Sequence, residues 1–470
     1  MKRYDRRRKY HVLLLAIISI AVLTGWLLRG PVGATLAGVL PFLQLAEQLE
    51  IIGACYRIGS GCYLVGCALV IGWATAWCVR HQIRRGVKYA LAHARLEKGI
   101  RRALLEAGYG VAVGNQYFRL PQVKIRFDGN DLSSGIVQIQ NHIKSDTSLA
   151  SVNLSSALGN YVVDAQYISD SNNYYCYEIS DGRIDRQLTF SSYQELCDYA
   201  KQHMDKYGPY TLFCDERNRG IKIRSLLLVG ITGSGKSYAL MGLIAQLKNW
   251  SIPPVVYYAD PKGSDIAILG GALAPDRTAD DIDGIIDLLH DFYNKMLVRK
   301  AEMQDKLNGK LGSDFSDFRL PAYIFMLDEF AAFQASIAKD KRRREEVEEI
   351  LRNVVLMGRQ LGFFAWICMQ KSDSSDIPTA IRDNLPLKVC LGIAPSTTLI
   401  TIFGRSTDLP SRHWGKGQGL IFCDGITAAP RPVSFPTLNF DIFAELTQRD
   451  NLQSEGVNRA ERGKDGTPVM

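Results

Sequence analysis

Two uncharged apolar runs dominate the first eighty residues. Residues 12–28 form a run of 17, and residues 58–79 a run of 22, near and above the lower length limit for a helix that spans a bilayer. Trp26, Tyr63, Trp73 and Trp77 suit an interface in such spans. Between the runs, residues 30–46 are also apolar but broken by Pro31 and Pro41, which suits a re-entrant segment or a surface helix. Residues 86–107 place Ala90, Leu91, Ala94, Ile100, Leu104 and Leu105 at helical spacing with basic residues between them. The period then drops to two. Val123, Ile125 and Phe127 alternate with Lys124 and Arg126, and residues 136–139, 161–163 and 174–177 read as further strands punctuated by Gly and Asn. This predicts a small α+β domain. Beyond residue 205, predominantly apolar strands are predicted at 225–229, 255–259, 323–327, 363–369, 387–391 and 419–423.

Charge changes the picture only once it is located. The 470-residue chain carries a net +8. Residues 1–10 hold six basic residues against Asp5, and residues 80–102 hold eight against Glu97, which leaves residues 103–470 at −4. The positive excess flanks the apolar runs. By the positive-inside rule it predicts a two-helix hairpin with both ends in the cytoplasm, and it is no argument for nucleic acid. The alternative, a pair of buried core helices, fits the flanks poorly. Ten cysteines without a CxxC pair exclude a disulfide scaffold and suggest no metal site.

The strongest chemical signal is Gly230-Ile231-Thr232-Gly233-Ser234-Gly235-Lys236-Ser237, a full GxxxxGK[ST] motif between a predicted strand and a predicted helix. Its glycines let successive N–H groups face phosphate oxygens, and the helix N-terminus adds positive charge. Lys236 is expected to reach the β- and γ-phosphates of ATP, and Ser237 to ligate Mg²⁺. The strand at 323–327 ends in Asp328-Glu329. Asp328 is the expected second holder of Mg²⁺ and Glu329 the expected base for the attacking water. Gln370 ends another strand on the same side and is expected to sense the γ-phosphate. Asp260 and Lys262 end a third strand, where a role in the site, a subunit contact or a plain turn are all open.

In this order the motifs resemble the FtsK/SpoIIIE family of membrane-anchored DNA-translocating ATPases. The matching pieces are residues 230–237, Asp260-Pro261-Lys262-Gly263, Met326-Leu327-Asp328-Glu329, Gly358-Arg359-Gln360-Leu361-Gly362, Met369-Gln370 and Ile381-Arg382-Asp383-Asn384-Leu385-Pro386. The resemblance covers about residues 205–435. It implies a RecA-like P-loop domain with a parallel sheet, a homo-hexameric ring that threads DNA, and an arginine finger, for which Arg359, Arg382 and Arg405 are candidates. The expected order is a basic tail (1–10), transmembrane hairpin (11–80), basic connecting helix (81–107), small α+β domain (108–204), ATPase domain (205–446) and polar, disordered tail (447–470). A hairpin plus one motor, with no winged-helix module after residue 446, is most similar to FtsK-type coupling proteins of Gram-positive conjugative elements. That implies a multi-pass protein of the bacterial cell membrane that delivers relaxase-bound DNA to a transfer channel.

Two other translocase classes compete, a chromosome-segregation motor and a protein-export motor. A GTP switch is disfavoured, since Asn294-Lys295-Met296-Leu297 lacks the acid of a guanine-reading motif. For DNA contact, the densest soluble basic cluster is Lys339 to Arg344, although Glu345, Glu346, Glu348 and Glu349 follow it and predict a solvated ion-pair ladder instead. Residues 306–319, with Lys310, are a second candidate.

Overall fold

The first apolar run folds as helix α1 (Arg6–Arg29), started by Asp5, whose side chain accepts the Arg7 N–H at 3.1 Å. The second lies inside α2 (Leu45–Arg80), 36 residues long. The helix starts well before residue 58 because Glu50 and Arg57 end an uncharged run without breaking a helix, and no proline lies between Pro41 and Arg80. Both helices are long and apolar enough to cross a membrane, and only 6% of each apolar stretch is buried, unlike the core helices of the alternative reading. They pack through small residues. A Cβ added at Gly25 would lie 3.0 Å from the Gly59 carbonyl oxygen, so any larger residue would push the helices apart.

This computed structural model describes residues 4–30, 35, 45–113, 117–141, 149, 152, 154, 157–307, 312–370, 377–404, 409 and 413–448. The chain divides into two units, Met1–Ile184 and Asp185–Met470. In the first, α3 (Val87–Glu106) presents Tyr89, Leu96, Ile100 and Leu104 to a four-stranded antiparallel sheet. Its strands are β1 (Val123–Phe127), β2 (Ser134–Gln140), β3 (Tyr161–Ile168) and β4 (Tyr174–Asp181), in the order β1-β2-β4-β3. The expected connecting helix is therefore one wall of the small domain's core, because its apolar stripe has the sheet to cover it.

The second unit begins earlier than residue 205. Helix α4 (Tyr193–Tyr207) is capped by Ser192, and its Leu196, Cys197 and Ala200 join the large core. That core surrounds a mixed sheet built from β5 (Leu226–Gly230), β6 (Val255–Ala259), β7 (Thr278–Ala279), β8 (Tyr323–Leu327), β9 (Phe363–Met369), β10 (Leu387–Leu391), β11 (Gln418–Cys423) and β12 (Arg431–Ser434). The order is β7-β6-β8-β9-β5-β10-β11-β12. The first six run parallel, while β11 and β12 are antiparallel additions at one edge. All seven residues of β9 are buried, as a strand covered on both faces requires. This is a P-loop ATPase fold in which β9 stands between the strand of the glycine loop (β5) and the strand ending in acids (β8).

Candidate nucleotide site

The loop after β5 turns into α5 (Lys236–Lys248). Gly233 and Gly235 have φ of 82° and 95°, and a Cβ on Gly235 would lie 2.8 Å from the Gly417 nitrogen. Glycine is thus required at 235 by both conformation and space. No side chain caps α5 and its first turn has no acid, so its first N–H groups face the loop without an internal anion. The buried Ser234 hydroxyl has no hydrogen-bond partner. These features fit a polyphosphate.

Four strand ends, of β5, β6, β8 and β9, bring these side chains together. The Lys236 ammonium, 8% exposed, lies 2.5 Å from Asp328 Oδ1 and 3.2 Å from Glu329 Oε1. Lys262, from the turn after β6, donates to Glu329 Oε2 at 2.9 Å. Gln370 Nε2 donates to Glu329 Oε1 at 2.8 Å, and its own Oε1 accepts from Thr232 at 3.4 Å. Gln370 touches both motifs because β9 is the strand between them. Glu329 itself sits in the left-handed region at φ 51°, unusual for a residue other than glycine; this conformation opens α6 (Phe330–Ile337). Burial alone would lower the Lys236 pKa, but Asp328 and Glu329 outweigh it and raise it, so the ammonium stays charged. Burial raises the Glu329 pKa less than Lys262, Lys236 and Gln370 together lower it, so its carboxylate is ionised at neutral pH. Burial dominates at Asp328 and pushes its pKa up despite Lys236.

Asp260 and Lys262 separate in role. Asp260 is fully buried and accepts from the Lys262 and Ser264 N–H groups and the Ser264 hydroxyl, which makes it a turn former. Lys262 instead joins the site. The loop Gly415-Lys416-Gly417 was not anticipated. The Gly417 N–H donates to the Ser234 carbonyl at 2.7 Å, and the Lys416 ammonium lies 5.4 Å from the centre of the Tyr238 ring. Glycines at 415 and 417, just before β11, were the available signal.

The arginine candidates are not gathered at these side chains. Arg359 is exposed at the end of α7 (Lys341–Leu361), before β9. Arg382 pairs with Asp383 at 2.9 Å before β10. Arg405 lies outside the described residues. In the basic cluster, Lys341 and Arg344 pair with Glu345 and Glu348 one turn on, as the sequence predicts, while Arg343 reaches Asp283 instead. Of the second candidate, Lys310 lies outside the described residues, while Phe315 is buried and its N–H is bonded to the Gln360 carbonyl. A small cluster missed in sequence lies in the first unit, where His81 Nδ1 and His93 Nδ1 are 3.0 Å apart beside Glu97.

No protein-family profile matches the chain. Among known proteins it is 29% identical over 183 residues to the Ftsk domain-containing protein YdcQ of Bacillus subtilis, covering 39% of this chain and 37% of that one. It is 24% identical over 221 residues to DNA translocase FtsK of Staphylococcus aureus, covering 44% and 27%. The chain thus spans well under half the length of the curated relatives it matches. A solved structure of the pCW3 conjugation coupling protein TcpA, with ATPγS, aligns with a TM-score of 0.45 at 18% identity, over 73% of this chain and 94% of that one. EssC ATPases 2 and 3 of Geobacillus thermodenitrificans align with a TM-score of 0.36 at 18% identity, over 64% and 50%. The ordered motifs and the sequence relatives thus agree: over the stretch they cover, this chain is similar to FtsK-type ATPases.

Proposed function

We propose that the chain is a membrane-anchored ATPase that moves DNA, and that it serves as the coupling protein of a conjugation system. The observation that carries the ATPase reading is the convergence of Lys236, Lys262 and Gln370 on the two oxygens of Glu329. Phosphate oxygens offer Lys236 a second set of acceptors at the loop of residues 230–237. When the ammonium moves to them, Glu329 Oε1 loses one donor and keeps Gln370. Glu329 can then take a proton from water as the water oxygen bonds to the γ-phosphorus and the bond to the β–γ bridging oxygen breaks. ADP and inorganic phosphate leave. Ser237 and Asp328 would hold Mg²⁺, which neutralises phosphate charge when bound.

Two exposed apolar helices with basic flanks support the membrane anchor, with both ends of the chain on the cytoplasmic side. DNA as substrate is inferred from what the sequence relatives are named for. A homo-hexamer, a relaxase and channel proteins as partners complete the reading. The test uses the detergent-purified full chain. ATP turnover should rise with added DNA, and the stimulation should fall steeply with salt. Glu329→Gln should keep ATP binding and lose turnover by about 10²–10⁴-fold. In cells, conjugative transfer should fail in Lys236→Ala while chromosome segregation and protein export continue; unaffected transfer would sink the coupling role.

A further inference from the structure

We propose that the first unit holds an anionic phospholipid in a cleft where α1, α2 and α3 meet. The cleft has a volume of about 1410 Å³. Val12 and Leu15 of α1 and Trp73, Ala76 and Trp77 of α2 line its apolar part. Its charged lining is Arg7, Arg8, Arg80, Lys98, Arg101 and Arg102 against three acids, Asp5, Glu97 and Glu106. The cations are therefore in excess even with every acid paired. Glu97 accepts from both Arg7 and Arg80, Asp5 accepts from Arg101 Nε at 2.6 Å, and Glu106 accepts from Arg102 at 2.9 Å.

The decisive side chain is Arg101. It is 8% exposed, and its Nη1 has no hydrogen-bond partner. A buried guanidinium with an unused donor on a cationic wall calls for an anion. The adjoining apolar wall belongs to the two helices read as membrane spans, so the anion best matched to both walls is a phosphate that carries acyl chains. Basic pockets between spans on the cytoplasmic side suit such headgroups. A cation fits poorly beside His81 and His93, because Glu97 is already shared by two arginines.

This inference rests on the membrane-anchored reading, and the experiment separates the two. Carbonate extraction of membranes tests anchoring alone. For the lipid, the full chain in detergent is mixed with equal phosphatidylglycerol and phosphatidylcholine, and retained lipid is counted by native mass spectrometry. Phosphatidylglycerol should be retained about tenfold over phosphatidylcholine. Lys98→Gln with Arg102→Gln, both exposed positions, should lower its retention by about tenfold without touching the core. Arg101→Gln should lower it further. Equal retention of the two lipids, or undiminished retention in both variants, would overturn the proposal. So would displacement by soluble glycerol phosphate at equal concentration, since the cleft would then bind a free phosphate.

Discussion

At Lys262 the sequence left three roles open, and the structure places its ammonium on Glu329 Oε2. Removing it by Lys262→Met takes away the strongest of the contacts that hold the Glu329 pKa below its ordinary 4.5. The pKa then rises, so the acid limb of kcat should move to higher pH; an unmoved limb would mean that Glu329 is not the base. His203 makes a second prediction. Burial lowers its pKa from 6.5 to about 4, and its Nε2 accepts the Gly220 N–H at 2.9 Å. The folded state keeps it neutral while the unfolded state takes up a proton below pH 6.5. Stability should therefore fall between pH 6.5 and 4, by on the order of 2–3 kcal/mol. Urea unfolding of His203→Gln, which keeps an acceptor, should show a flatter acid slope. Lys236, Asp328 and Glu329 were legible in sequence because each belongs to a motif fixed by spacing. Lys262 and Lys416 were not, because their partners Glu329 and Tyr238 lie 67 and 178 residues away, and only the fold sets those distances.

Among elements, the buried parallel strands were the most legible, since a run apolar on both faces has few other uses. The strands at 255–259, 323–327, 363–369 and 387–391 match their expected limits. The edge strand β12 was missed because Arg431 and Pro432 hide its pattern. Helix α3 was read as a basic connecting helix, and its packing against the sheet was not anticipated, because periodicity shows a stripe and not what covers it. Gly235 tests the loop as an element. Gly235→Ala forces a Cβ against the loop at Gly417, at a backbone angle that costs about 1–3 kcal/mol for other residues. Binding of a fluorescent ATP analogue should weaken at least tenfold, while the circular-dichroism melt shows the sheet intact. Unchanged binding would show that the contact between residues 235 and 417 does not set the loop.

For the whole molecule, the two units have separate cores. One runs from Tyr89 to Ile179 and the other from Phe190 to Leu446. A cut after Ile184 crosses neither. A fragment of residues 185–448 should therefore fold, stay in solution without detergent and bind ATP with the affinity of the full chain; a fragment that aggregates would show that the units need each other. Helix α2 carries its own consequence. Thirty-six helical residues measure about 54 Å, and a hydrocarbon core takes up only about 30 Å of that. On the proposed topology, with Arg80 at the cytoplasmic face, the turns nearest Leu45 would reach past the hydrocarbon on the opposite side as a stiff post, within range of an antibody applied to intact cells.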